Sequence, residues 1–379
     1  MDANSLLSYC QSELRSLLRC LCRAVEIESP SNSKAGVDRL ADFFGQEFKR
    51  RRARVRILPH AKTGSAVCAE FWSEFNRRKP LLLLGHLDTV WGIGTLEQMP
   101  FRISGGRAYG PGILDMKSGI VCGLWAIQAL QALGITPTSP VRCFLNSDEE
   151  VSSQAFRQEI LAEAKQSRAV LVLEPAAAAG ALKTARKGVG DFKITVHGRS
   201  AHAGVDPEAG VNAISELARQ IIHVQSFARP DAGLTVNVDV VEGGTRSNVI
   251  PERAAMQVDV RVPRLRDGRA IEKKISGLKP FDPRARLEIE GGINRPPLER
   301  RMAAGLFLKA RALGRQMGME LKEASTGGGS DGNFTAALGI PTLDGLGGVG
   351  EGAHARNEHV VIRELPRRAA LLAALIATL

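Results

Sequence analysis

Apolar residues follow two rhythms along this chain. In the first half, compact apolar runs alternate with stretches at helical spacing. The run 81–84, four leucines between Pro80 and Gly85, reads as a strand buried on both faces. The runs 141–146 and 169–173 read the same way, and 53–58 and 66–71 are further strands. Between them, apolar spacing predicts helices over 5–28, ended by Ser29-Pro30, and over 36–51, 118–133 and 153–166. From about Arg186 the rhythm becomes strict alternation, Phe192, Ile194, Val196, as in a strand with one solvated face. Strands are predicted over 191–197, 234–241, 254–262 and 285–290, with helices over 212–224 and 268–278. The order β-α-β-β-α-β is that of a ferredoxin-like unit. It has the look of an insertion, with hinges expected at 186–190 and 291–297. Helices over 298–317 and 331–338, a strand over 341–344 and a helix from about Arg363 then resume the first pattern. The fold class expected is α/β. A domain of 1–185 and 292–379 has a mainly parallel twisted sheet with flanking helices, and a ferredoxin-like α+β domain of 186–291 is inserted in it.

Composition narrows the function. At 379 residues, two domains are the default. Lys plus Arg exceed Asp plus Glu by 51 − 40 = 11. That charge is spread, with short clusters at 49–52 and 77–79, and aromatic content of 5% leaves little to stack bases on. We expect no nucleic-acid partner but a solvated basic surface, which also helps draw in a carboxylate substrate. No apolar run reads as long enough to span a bilayer, so no membrane is expected. The start, MDANSLLSYCQSELRSLL, lacks the charged and apolar regions of a signal peptide. The six cysteines are scattered without metal-site spacing and read as reduced thiols, hence a cytoplasmic protein.

The buried strands share a habit at their carboxyl ends. His86 and Asp88 follow the first, Glu149 and Glu150 the second, Glu174 the third. Asp115 sits where a Gly-rich loop meets a helix, and His354 lies in the glycine-rich loop 345–359. In open α/β sheets, sites form at that edge. Carboxylates converging there repel unless a cation holds them. Two histidines and several carboxylates suit zinc or a similar divalent ion, and two ions sharing one carboxylate would use the whole set. His359 reads as a strand-edge residue instead, and His60, His197 and His223 as structural.

With these residues placed, the chain resembles the zinc-dependent metallopeptidase family of glutamate carboxypeptidase, acetylornithine deacetylase, succinyl-diaminopimelate desuccinylase and aminoacylase. The matching motifs are GHLDTV (85–90), GPGILDMKSG (110–119), SDEEVSS (147–153), LEP (173–175), GRSAHAG (198–204), SNVIP (247–251), TGGGSD (326–331) and GEGAHARNEHV (350–360). The likeness to glutamate carboxypeptidases is strongest, through HAGVDPEAGVNA (202–213), INRPP (293–297) and TGGGSD. The resemblance implies two Zn2+ ions, with Co2+ or Mn2+ as alternatives, bridged by Asp115. His86 and Glu174 would complete one site, Glu150 and His354 the other. Asp88 would orient His86, and Glu149 would be the general base. A cis peptide is implied at Asp115–Met116. His202 would stabilise the oxyanion, acting across the dimer in dimeric members. Asn248, Arg261 and Arg295 would receive the substrate carboxylate, and the glycines around Gly328 would let backbone N–H groups approach it. Lys183 and Arg186 are both candidates to read a substrate side chain. The implied activity is release of a C-terminal amino acid, glutamate first, from a small acyl- or peptidyl-amino acid; the alternative is an N-acyl-amino-acid deacylase. A homodimer through the inserted lid/dimerisation domain is implied as well.

Overall fold

The structure, a computed structural model, describes residues 2–74 and 78–379; Arg77 of the 77–79 basic cluster lies outside the described residues. The chain divides into two compact units. One is Met1–Ala185, Arg300–Thr326 and Ser330–Leu379; the other is Arg186–Glu299 with Gly327–Gly329.

The first unit is built on a mixed six-stranded sheet, in the spatial order Arg54–Leu58, Ala66–Phe71, Val141–Asn146, Leu81–His86, Ala169–Val172, Thr342–Leu343. The first two strands are antiparallel to their neighbours, and the last four run parallel to one another. Leu81–His86 lies inside the sheet and is buried at every position, as its all-apolar sequence requires. Leu82 and Leu84 pack with Phe144, Phe156, Ile160, Val170 and Val172. The helix Ser118–Ala132 is buried along most of its length. Read together with the preceding turn, Ile113–Ala132 spans 20 residues and holds an 18-residue window of mean hydropathy 1.3, long and apolar enough to cross a bilayer by length and composition. That corrects the expectation of no such run; 89% of the 18-residue window is buried inside the protein, as a core helix is. The helix expected over 5–28 is two helices, Ala3–Ser12 and Leu14–Val25, parted at Glu13 (φ −88°, ψ 5°). The helix expected from 153 begins at Arg157, because Ser152 and Ser153 are left-handed (φ 79° and 52°).

The second unit is ferredoxin-like. Its antiparallel sheet runs Thr235–Gly243, Arg253–Val262, Gly188–His197, Arg286–Arg295. Phe192, Ile194 and Val196 point inward with Val258, and meet Leu217, Ile271 and Ile275 of the helices Ala213–Gln225 and Leu265–Ser276. The last strand continues to Arg295, past the boundary expected at 291. The segments expected as hinges are paired with each other. Gly190 stands opposite Ile293 and Val189 opposite Arg295, and Arg186 and Leu298 exchange main-chain hydrogen bonds (3.0 and 3.1 Å). Gly291 (φ +102°) is required in this ladder, since a Cβ there would lie 2.0 Å from the Asp191 carbonyl oxygen.

Candidate functional site

The carboxyl edge of the first unit's sheet gathers the acidic and histidine residues singled out by sequence. His86 ends its strand opposite Asn146, almost fully buried. Its Nδ1 lies 2.9 Å from the main-chain oxygen of Asp88 and 3.4 Å from that residue's Oδ1. A proton on Nδ1 given to that carbonyl leaves Nε2 as the ligand atom, aimed at Asp115 Oδ1 (3.2 Å) and Glu174 Oε1 (3.5 Å). The Asp88 carboxylate has a further task. Oδ1 accepts the Glu149 N–H (3.0 Å), and Oδ2 accepts the Glu150 N–H (3.1 Å) and the Ser31 hydroxyl (2.7 Å). Asp88 therefore fixes the main chain that carries both glutamates.

Asp115 lies in a turn between Gly112 (φ +68°) and the core helix, and its bond to Met116 is cis. Its two oxygens face two histidines, Oδ1 towards His86 and Oδ2 towards His354 Nε2 (3.5 Å). One carboxylate thus faces two imidazoles, one with each oxygen. The turn is held by Glu358, a buried residue that sequence reading passed over. Its oxygens accept the N–H groups of Gly112 (2.9 Å), Leu114 (2.8 Å) and Asp115 (3.1 Å) and the Trp91 indole (2.7 Å).

His354, half-exposed and with φ of 62°, reaches Glu150 Oε1 at 3.2 Å. His359 instead sits in the strand His359–Val361, its Nδ1 2.9 Å from the Asn357 carbonyl oxygen. Ligand atoms of His86, Glu149 and Glu174 lie within 4.8 Å of one another, and so do those of His86, Asp115 and Glu150. The donor set of imidazole nitrogens and carboxylate oxygens fits a borderline divalent ion. The electrostatics agree. Asp115 and Glu150 push His354 up to about 10. Burial pulls His86 down, but Asp115, Asp88 and Glu174 outweigh it and hold it well above its ordinary value. Burial likewise opposes ionisation of Asp115, yet His354 and His86 keep it far below the usual carboxylate range. Burial raises Glu150, against the pull of His354. Without a metal, protons on the histidines balance the converging carboxylates, where a cation's charge would otherwise do so.

The other site residues expected from sequence belong to the second unit and fall into two groups. His202 and Asn248 lie on adjacent loops, joined by hydrogen bonds from Ala203 N–H to the Asn248 carbonyl (3.0 Å) and from Ile250 N–H to the Ala201 carbonyl (2.9 Å). His202 Nδ1 accepts the N–H groups of Gly204 and Val205 (3.1 and 3.2 Å), so its proton resides on Nε2, a donor. Arg261 and Arg295 form the second group, both in register with Val189. A Cβ on Gly329 would lie 3.2 Å from Arg295 Cδ, and Arg186 Nη1 donates to the carbonyls of Gly328 (3.1 Å) and Gly329 (3.0 Å). The fork of Arg261 holds the carboxylate of Asp259, through Nε (2.9 Å) and Nη2 (2.7 Å). The two groups are far apart. The His202 loops continue the ladder beyond the Arg253 end of its strand, and Arg261 lies eight residues further along, roughly 27 Å at strand rise.

The profile described as Peptidase family M20/M25/M40 matches residues 82–378. Carboxypeptidase G2 of Pseudomonas sp. (strain RS-16) is 30% identical over 391 residues, covering 99% of this chain and 92% of that protein. Succinyl-diaminopimelate desuccinylase of Corynebacterium glutamicum is 28% identical over 309 residues, 77% of this chain and 79% of that one. Among solved structures, the aminopeptidase PepT from Bacillus cereus ATCC 10987 superposes with a TM-score of 0.76 at 20% identity, covering 96% of this chain and 98% of that one.

Proposed function

As the chain belongs to peptidase family M20/M25/M40, and is thus a hydrolytic enzyme, we propose that it cleaves an amide bond next to a free carboxylate and releases a C-terminal amino acid, with glutamate preferred. One observation carries this reading: His86, Asp115, Glu150, Glu174 and His354 converge at one sheet edge, with the buried Glu149 beside them. These five residues would hold two zinc ions, or cobalt or manganese, with Asp115 between them. The ions would supply Lewis acidity towards the scissile carbonyl and towards water. The chain's own residues supply the proton traffic and the binding. Glu149 takes a proton from the attacking water and delivers it to the leaving amine nitrogen, so the base ends as it began. His202 donates from Nε2 to the carbonyl oxygen as negative charge develops there. Asn248, Arg261, Arg295 and the backbone at Gly328 bind the substrate's carboxylate. The fork of Arg261 already donates to the carboxylate of Asp259, which supports its giving the same bonds to a substrate's carboxylate.

A small substrate cannot span roughly 27 Å, so the two groups of the second unit serve one substrate only if they come from two copies of the chain. This supports a homodimer through the inserted unit, with His202 acting in the partner's site. The second reading, an N-acyl-amino-acid deacylase, is favoured by the 28% identity to a desuccinylase, since the same core serves both. A cytoplasmic location is part of this proposal, supported by the six cysteines, all free thiols. A panel of N-acyl-amino acids and dipeptides, assayed before and after metal removal, tests the proposal. Release of glutamate that stops on chelation and returns with zinc supports it. Release of acetate or succinate from acyl-ornithine or acyl-diaminopimelate selects the deacylase, and metal-independent release contradicts both.

A further inference from the structure

The motif TGGGSD supplied glycines to the reading above, but its final residue found no use. Asp331 stands at the start of the short helix Gly332–Ala337, a position where an aspartate ordinarily caps the free N–H groups. It does not cap; the Ser330 hydroxyl accepts the Gly332 N–H instead (3.2 Å). The Asp331 carboxylate is turned into the protein, to residues distant in sequence. Oδ2 accepts from Asn146 Nδ2 (2.9 Å), and Oδ1 from the Ser153 hydroxyl.

Those two partners bracket the turn that carries Glu149 and Glu150. Asn146 ends its strand, and its Oδ1 accepts the Ser147 N–H (2.7 Å). Ser153 closes the turn through its own N–H to the Asp148 carbonyl (2.8 Å). Between them the backbone passes through Ser152 and Ser153 at positive φ, a conformation that serine holds only when its surroundings impose it. Asp88 grips the middle of the turn by the N–H groups of Glu149 and Glu150. Asn146, Ser153, Asp331 and Asp88 are all buried, so the bonds are shielded from exchange with water.

We propose that Asp331 is a positioning residue for Glu149: it ties both ends of the 147–152 turn and thereby sets where the Glu149 carboxylate stands relative to His86 and Glu174. This rests on the reading of Glu149 as the base. Asp331 does its work through the turn, not on the substrate. A misplacement of about 1 Å at a reacting group costs on the order of 100-fold in rate, which sets the scale of the effect.

The test uses the full-length, metal-loaded enzyme and whichever panel substrate the wild type turns over best. Asp331→Asn keeps the shape but loses one acceptor. Its kcat is expected to fall by roughly 10- to 100-fold, with KM and metal content unchanged and the acidic limb of the kcat/KM profile displaced. Ser153→Ala removes one tie only and is expected to fall less. The double variant should be little worse than Asp331→Asn alone, since both act through one turn. Wild-type kcat and pH profile in Asp331→Asn overturn the inference, as does a loss matched by loss of metal. Should Asp331→Asn not fold, Ser153→Ala decides, and wild-type kcat there overturns it. Glu149→Ala runs alongside. If it keeps full activity the base reading itself falls; if it is inactive while Asp331→Asn matches wild type, only the positioning role falls.

Discussion

Both oxygens of Glu358 face donors of one turn, and that turn presents Asp115 to two histidines. Glu358→Gln would set an amide NH2 against backbone N–H groups, and residues that orient ligands in this way typically matter 10- to 100-fold for metal affinity. We expect metal affinity to fall by about that factor, read by titration of the metal-free protein; an unchanged affinity would remove Glu358 from this role. The histidines give a second prediction. In the metal-free protein His354 keeps its proton up to about pH 10, and a metal takes only the neutral imidazole. Metal uptake near neutral pH therefore releases protons, and apparent affinity rises as pH rises towards 10. Calorimetry in buffers of different ionisation enthalpy should show that release, and a pH-independent affinity would count against it. At this scale the sequence was legible where chemistry follows a buried strand, as with His86 or Glu174. Glu358 carried no such mark. Its partners lie 243 to 267 residues away, and an acid between Asn357 and His359 has no periodicity to flag it.

Elements place these residues by close packing as much as by hydrogen bonds. The core helix begins at Ser118, and a Cβ on Gly119 would lie 1.9 Å from the Leu173 carbonyl oxygen, one residue before Glu174. Glycine is needed for the helix to touch the strand end there. Gly119→Ala should destabilise the protein by about 1–3 kcal/mol and weaken metal binding as Glu174 shifts. A melting curve and metal content check this, and a variant equal to wild type in both would contradict the packing account. Apolar runs announced the buried strands, because a strand covered on both faces has no polar position to break the run. Breaks within helices were less visible. The 5–28 pattern runs on across Glu13, where only backbone angles part the two helices. Pairing across the segments expected as hinges was hidden in the same way: the glycines and prolines of 291–297 gave no sign that Gly291 sits in a paired strand.

For the whole molecule, register decides what single motifs could not. The resemblance grouped Asn248 with Arg261 and Arg295 at the substrate carboxylate, but strand pairing sets His202 and Asn248 at the opposite end from Arg261 and Arg295. Pairing partners across a sheet cannot be read from one strand's own alternation, so this separation was invisible in the sequence. If both groups serve one substrate, as proposed, the partner copy must supply one of them. The outer strand Thr235–Gly243 and the helix Ala213–Gln225 both expose apolar residues, Val241 at 54% and Ile222 at 72%. Sedimentation should find a dimer, and Ile222→Glu should shift it towards monomer with a parallel loss of activity; a fully active monomer would place both groups' roles in doubt. The central claim is that Glu149 moves the proton beside a metal-holding carboxylate set. It is tested most directly by measuring metal content and amino acid release together in wild type and Glu149→Ala. The account predicts equal metal content and a rate reduced by ~10²- to 10⁴-fold in the variant. A variant that keeps its metals and its rate would contradict it.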